Sequence, residues 1–157
     1  MFKLQLFIRG MNEMYAIDIL NWKYEAPYDF YNNKFCDESL KELLDNPYYS
    51  IVNDQEELVG FFCTGTSAQV PKGHDYGAYI DGCIDVGIGM KPELTGRGYG
   101  LEFFSFILNH LQQKNTSSLR LTVATFNTRA IHLYEKLGFE KVMNITASTE
   151  FITMKKG

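Results

Sequence analysis

Apolar positions along the chain change period several times, and each change marks an element. Residues 3–8 alternate loosely and predict a first strand. Over 11–22 the spacing becomes helical, with Met14 and Ile17 set against Asp18 or Asn21 to separate an apolar face from a polar one. Residues 23–35 are rich in Tyr and Phe around one Pro and predict an irregular stretch. Asp37 can cap a short helix running to about residue 45, with Leu40, Leu43 and Leu44 inward. Strands over 48–53 and 57–66, joined by the polar turn Asp54-Gln55-Glu56, predict a hairpin. Residues 67–79 hold Pro71, Gly73 and Gly77 and predict a loop.

The second half is as readable. A strand is predicted over 83–90. A helix is predicted over 98–113, apolar nearly all round and so deeply buried. Leu119, Leu121 and Val123 alternate with polar residues as in a strand. Residues 127–137 predict a helix ended by Gly138, which can take the left-handed conformation past a helix end. Residues 139–145 and 149–154 predict a closing hairpin. The order β-α-α-β-β-β-α-β-α-β-β is that of a mixed α/β (α+β) fold, with a central sheet covered by helices on both faces.

No repeat, low-complexity segment or Pro/Ser-rich linker interrupts residues 1–157, so a single domain is expected, long enough to bury a sizeable core. Twelve Phe and ten Tyr imply either an aromatic core or an aromatic-lined cleft. The net charge of -4 argues against non-specific attraction to nucleic acid or to anionic membrane, and is permissive for cationic substrates. Cys36, Cys63 and Cys83 are odd in number and widely spaced. That pattern fits neither a disulfide framework nor a CxxC zinc site, and reads as core thiols in a reducing compartment; no metal site is expected. The start of the chain has no signal-peptide pattern, and no apolar run approaches the roughly 20 residues of a membrane span. A cytoplasmic location is therefore expected.

The chemistry concentrates in Gly96-Arg97-Gly98-Tyr99-Gly100, between a predicted strand and a predicted helix. Glycines let consecutive backbone N–H groups approach an anion, and the helix dipole adds positive potential, so the turn suits a phosphate or pyrophosphate. It is not a P-loop, which requires GxxxxGK followed by Ser or Thr. Nor is it a dinucleotide fingerprint: the glycines run G-x-G-x-G, and no acidic residue stands near position 116–120.

Residues 88–100, IGMKPELTGRGYG, do resemble the acetyl-CoA signature of the GNAT superfamily of N-acetyltransferases: Gln or Arg, two residues, Gly, one residue, Gly or Ala. Residues 127–139, NTRAIHLYEKLGF, resemble the same family's second signature, N-x-x-A-x-x-L-Y-x-x-x-G-F. The resemblance runs from about residue 84 to 141. It implies a mixed, mostly antiparallel sheet and an enzyme that moves acetyl from acetyl-CoA, as cosubstrate, to an amine by direct attack in a ternary complex. A non-catalytic acyl-CoA-binding sensor on the same fold is the alternative.

The resemblance also implies roles. Ile88, Gly89 and Met90 would lie along the pantetheine arm, with a backbone N–H near Gly89 or Met90 polarising the thioester carbonyl. Thr95, Gly96, Arg97, Gly98, Tyr99 and Gly100 would hold the pyrophosphate. Thr95 stands where the signature has Gln or Arg, so either Arg97 compensates or backbone amides carry the load. Asn127 would reach the cofactor, and Tyr134 would contact it and serve as general acid. A phenol of pKa about 10 is matched to protonating a thiolate whose acid has pKa about 8.5. A structural reading of Tyr134, as a core aromatic beside Ala130, Ile131 and Leu137, stands next to that role. Asp85 is the first candidate base, with Asp81 and a water relay as rivals; a carboxylate paired within the sheet is its structural reading. The segment 22–31 falls where the family places an acceptor-lining loop, and its aromatic faces with interspersed carboxylates suit a cationic amine, although a packed lid reads equally from the residues. The acceptor is thus expected among cationic small molecules, protein N-termini or lysines, and a homodimer is compatible with the family.

Overall fold

The computed structural model describes residues 5–80, 82–114 and 117–157; residues 3 and 4 of the first predicted strand, and Asp81, lie outside them. The chain forms two units, each discontinuous in sequence: Met1–Cys63 with Ile88–Phe106, and Thr64–Gly87 with Ile107–Gly157.

In the first unit, β1 (Phe7–Gly10) pairs antiparallel with β2 (Tyr48–Val52), which pairs antiparallel with β3 (Leu58–Thr64). Between β1 and β2 lie α1 (Glu13–Asn21) and α2 (Asp37–Asp45). The first helix starts where its cap dictates: the Tyr15 N–H donates to Asn12 Oδ1 at 2.8 Å. Its buried face is Ala16, Ile19 and Leu20, an i, i+3, i+4 set, and Met14 is 65% exposed. The stripe is therefore rotated from the one the periodicity predicts. In α2, Asp37 is the first helical residue and Cys36 occupies the cap position, with Asp37 and Glu38 favourably placed near the positive end of the dipole. Leu43 is buried, while Leu44 is exposed rather than inward.

These helices and β3 share a core of Ala16, Ile19, Leu20, Trp22, Leu43 and Leu58, extended by partly buried Tyr15, Tyr24, Tyr48 and Phe61. Much of the aromatic content is thus core. The β2–β3 turn is closed by Asn53, whose Oδ1 accepts from the N–H groups of Gln55 and Glu57, each at 2.9 Å.

The strand β4 (Ile84–Met90) is divided between the units, with its last three residues in the first. There it lies beside β3 at two glycines. A Cβ on Gly60 would fall 2.5 Å from the Gly89 carbonyl oxygen and against the Phe103 ring, and a Cβ on Gly89 would meet the Phe61 ring. Both glycines serve close approach of the two backbones.

In the second unit the order is β4, β5 (Leu119–Ala124), β7 (Glu150–Lys156), β6 (Glu140–Thr146). The start of β4 pairs parallel with β5, and the other pairings are antiparallel. The closing hairpin therefore places its second strand inside and leaves β6 beyond it. Leu119, Leu121 and Val123 are buried as the alternation predicts, but Arg120 between them is also buried, because it has a charged partner. The strand β3 ends two residues before its predicted end; a short 3-10 segment, Gly65–Ala68, spans the start of the predicted loop, and a second, Pro71–Tyr76, lies within it.

The helix α3 (Gly100–Lys114) begins in the first unit and ends in the second. Phe103, Ile107, Leu108 and Leu111 are buried but Leu101 is 48% exposed, so it is amphipathic rather than apolar all round. Finally, α4 (Thr128–Lys136) matches its prediction to within a residue at each end. Among the described residues no helix is long and apolar enough to cross a membrane.

Candidate functional site

The sequence-predicted residues fall into two groups, one in each unit. Ile88, Gly89 and Met90 end β4 in the first unit, and residues 95–99 follow as a turn, exposed at 96–98, that leads into α3 at Gly100. A 3-10 turn, Pro92–Leu94, connects them. It is closed at Pro92, whose carbonyl accepts from the Thr95 N–H at 3.1 Å and from the Thr95 hydroxyl at 2.7 Å. The hydroxyl of Thr95 is thus engaged inside the turn, and its position in the signature is met by a turn-closing residue rather than by a long donor.

Beyond Thr95, Gly96 has φ 71° and Gly98 has φ 86°. Glycine takes these positive φ values without the cost a side chain would add, and a glycine turn at a helix N-terminus is suited to an anion. No atom lies within 4 Å of a Cβ built on Gly98, so the space over the turn is open. Arg97 between the two glycines is exposed, and α3 supplies a 15-residue dipole behind them. A turn of this composition before a helix has the chemistry that suits a phosphate-bearing group.

The second group lies in the second unit. Asn127 caps α4, its Oδ1 accepting from the Ala130 N–H at 3.1 Å. At the other end, Gly138 has φ 97°; its N–H donates to the Glu135 carbonyl, and the Phe139 N–H donates to the Tyr134 carbonyl, both at 3.0 Å. These two bonds are the Schellman pattern, which commonly brings the side chain after the glycine onto the residue five positions before it. Here that contact is Phe139 against Tyr134, ring centroids 6.1 Å apart. Asn127, Gly138 and Phe139 therefore start and stop a nine-residue helix and fix the ring of Tyr134, which is 7% exposed.

Asp85 is not arranged as a base. Arg120 Nε donates to its Oδ1 at 2.6 Å, while Arg120 Nη2 and Gln69 Nε2 donate to its Oδ2, each at 2.9 Å. Both side chains of the pair are about 5% exposed or less. The Arg120 guanidinium also stacks 5.0 Å from the Tyr79 ring centroid, and the Tyr79 hydroxyl bonds Thr122 at 2.8 Å. A proton acceptor must present a lone pair to its substrate. The geometry is that of a carboxylate paired within the sheet, the structural reading of Asp85.

Two features escape the sequence. The Tyr24 hydroxyl donates to the Met90 carbonyl at 2.7 Å, which ties the aromatic segment to the end of β4. Burial, and secondarily the charge of Glu93, push the Tyr24 phenol above its ordinary pKa, so it remains a protonated donor. A cleft of about 500 Å³ also opens in the first unit, lined by Tyr15, Asp18, Trp22, Glu57, Lys91 and Glu93 among others. Glu93 there faces Lys91 at 3.6 Å, while Asp18 has no ion-pair partner among the described residues. No periodicity or motif signals either feature, because each joins segments distant in sequence.

Comparison with known proteins bears on both groups. The sequence model of the acetyltransferase (GNAT) family matches residues 11–139. Mycothiol acetyltransferase of Renibacterium salmoninarum is 31% identical over 108 residues, which are 65% of this chain and 30% of that protein. The Catenulispora acidiphila mycothiol acetyltransferase is 30% identical over 111 residues, 66% of this chain and 33% of that protein. The chain thus spans about a third of the length of these curated relatives. Among solved structures, spermidine N-acetyltransferase of Vibrio cholerae in complex with CoA and spermine aligns with a TM-score of 0.71 at 21% identity, covering 97% of this chain and 95% of that one. At that identity the likeness is one of fold.

Proposed function

The chain belongs to the acetyltransferase (GNAT) family, and from that membership we propose that it moves an acetyl group from acetyl-CoA to an amine acceptor. The observation that carries this reading is the open turn with left-handed Gly96 and Gly98 at the start of α3, which suits the pyrophosphate of CoA. In this reading the backbone of residues 96–100 and the Arg97 side chain hold the phosphates, and the end of β4 receives the pantetheine arm. The acceptor amine, having lost its ammonium proton to water, attacks the thioester carbon; the C–N bond forms, the nitrogen gives up its second proton through a water relay, the C–S bond breaks, and the Tyr134 hydroxyl supplies the proton that the departing sulfur takes up, regaining one from the solvent. Asp85 is assigned to holding β4 on β5. A cationic acceptor is favoured over an anionic one, since carboxylates outnumber amines in the cleft beside Lys91.

The test is a ligand-protection and turnover series. Acetyl-CoA at about 100 times its dissociation constant should stabilise the fold by about 2.7 kcal/mol, a rise of several degrees in melting temperature. NAD and ATP at the same concentration should protect far less. Free CoA should then be released when acetyl-CoA is mixed with a panel of amines, spermidine above neutral or anionic ones. Equal protection by all three nucleotides would mark the turn as a generic anion site, and protection without CoA release from any amine would identify a sensor.

Gly98→Val isolates the turn. Its Cβ meets nothing in the unliganded protein, so the cost to folding is that of a β-branched residue at φ 86°, about 1–3 kcal/mol. The same side chain would stand over the N–H groups that face the phosphates, and acetyl-CoA affinity should fall at least tenfold by titration calorimetry. A folded variant that binds acetyl-CoA like the wild type would remove residues 96–100 from the site.

A further inference from the structure

We propose that Tyr24 is a positioning residue for acetyl-CoA: its hydroxyl, together with Val59, locks the peptide plane between Met90 and Lys91, from which the phosphate-binding turn departs. The proposal rests on the acetyltransferase reading above and deepens it. Its basis is a pair of bonds on one peptide. The Met90 carbonyl accepts from the Tyr24 hydroxyl at 2.7 Å, and the Lys91 N–H donates to the Val59 carbonyl at 2.8 Å. Because the amide is planar, holding its oxygen on one side and its hydrogen on the other fixes the rotation of the whole unit.

The lock sits at a sensitive place. Downstream, the Leu94 N–H donates to the Lys91 carbonyl at 2.9 Å, and Thr95 closes on Pro92 through both its N–H and its hydroxyl. Each of these short-range bonds inherits its orientation from the 90–91 plane, and Gly96 and Gly98 follow within eight residues of Met90. Upstream, Tyr24 is held in turn: its own N–H donates to Asn32 Oδ1 at 2.7 Å, and its ring packs on the core that includes Ala16, Ile19 and Trp22. The phenol stays protonated because it is buried, so the donor persists across the working pH range. The aromatic segment thereby acts on the cofactor strand through one side chain, 66 residues away in sequence.

Tyr24→Phe removes the bond and keeps the ring, so the core contact survives. A neutral hydrogen bond contributes about 1 kcal/mol net, a factor of about five. Acetyl-CoA should therefore bind about fivefold to tenfold more weakly by calorimetry, and its KM should rise in step. The acceptor KM should hold, and the melting temperature should stay within about 2–3 °C of wild type. A second readout needs no ligand: exchange of the Lys91 amide hydrogen, followed by NMR, should quicken about fivefold. Asn32→Ala, which loosens Tyr24 without touching its hydroxyl, should show the same pattern more weakly, and it carries the test if Tyr24→Phe does not fold.

Wild-type protein that binds acetyl-CoA while Tyr24→Phe binds it equally well overturns the assignment, whatever happens to the melting temperature. A parallel loss for acetyl-CoA and acceptor, accompanied by a large fall in melting temperature, makes Tyr24 a core residue and overturns it too. Wild-type protein that does not bind acetyl-CoA brings down the acetyltransferase reading itself and this inference with it. The Lys91 exchange rate keeps the two failures apart, since it reports the lock whether or not the ligand is right.

Discussion

Truncating Asp85 to Ala should cost about 3–5 kcal/mol of stability, the loss that follows when a buried ion pair is deprived of one partner. Arg120 is 3% exposed, so its charge would remain in the interior without the Asp85 carboxylate, and Gln69 would lose its acceptor. The Tyr79 ring, 5.0 Å from the guanidinium carbon, offsets that by no more than about 2 kcal/mol. Arg120→Met should cost a similar amount, because the carboxylate would then be buried with Gln69 as its remaining donor. The double variant Asp85→Leu/Arg120→Met should recover most of the loss, since apolar groups of similar volume often replace a buried pair at little cost. Urea melts would read these differences as midpoint shifts at constant slope. Single variants within 1 kcal/mol of the wild type would mean that water reaches the pair. The double variant also decides the chemistry of Asp85: it should still release CoA from acetyl-CoA and an amine. A folded double variant with no turnover would restore Asp85 as the base.

The second half of the fold was legible because its boundaries are written in local chemistry. Asn127 at one end of α4 and Gly138-Phe139 at the other act over five residues or fewer, so the pattern that ends the helix is visible without any tertiary knowledge. The same locality explains why the helix over 11–22 was placed correctly but turned incorrectly. Its cap at Asn12 is local, whereas the choice of Ala16 over Met14 for the buried face depends on what packs against it. The alternation of Leu119, Leu121 and Val123 was equally sound, yet it could not show that Arg120 lies inside. Alternation reports one face of a strand, and β5 is buried on both.

The candidate site divides along the same line. The glycine turn is a short-range device, and its two left-handed residues sit where the motif puts them. Thr95 is expected at the pyrophosphate and Asp85 as the base because their side chains carry the right atoms; in the fold those atoms are engaged by Pro92 and by Arg120 with Gln69. An inventory of donors and acceptors does not reveal which ones the protein itself consumes. Tyr24 is the converse case, a residue in an aromatic stretch whose hydroxyl meets a backbone carbonyl 66 positions on. A contact at that separation leaves no periodic trace.

Tyr134→Phe should lower kcat by roughly 10²–10⁴-fold, the usual contribution of a positioned proton donor. The structure makes this substitution unusually clean. The ring of Tyr134 is placed by the helix-ending pattern, through its contact with Phe139 and the bond from the Phe139 N–H to the Tyr134 carbonyl. A phenylalanine satisfies both, so the helix end and the ring contact should survive. The variant thus keeps the packing of the ring and removes only the hydroxyl. If the hydroxyl protonates the leaving sulfur, kcat and kcat/KM should fall together while acetyl-CoA affinity stays near wild type, because the interaction exists only as the C–S bond breaks. Pre-steady-state mixing should then show no burst of CoA, since the chemical step would limit turnover. A rise confined to KM would make the hydroxyl a ground-state contact. An unchanged kcat in a folded variant would remove the Tyr134 hydroxyl from the chemistry, and the thiolate would have to take its proton from water.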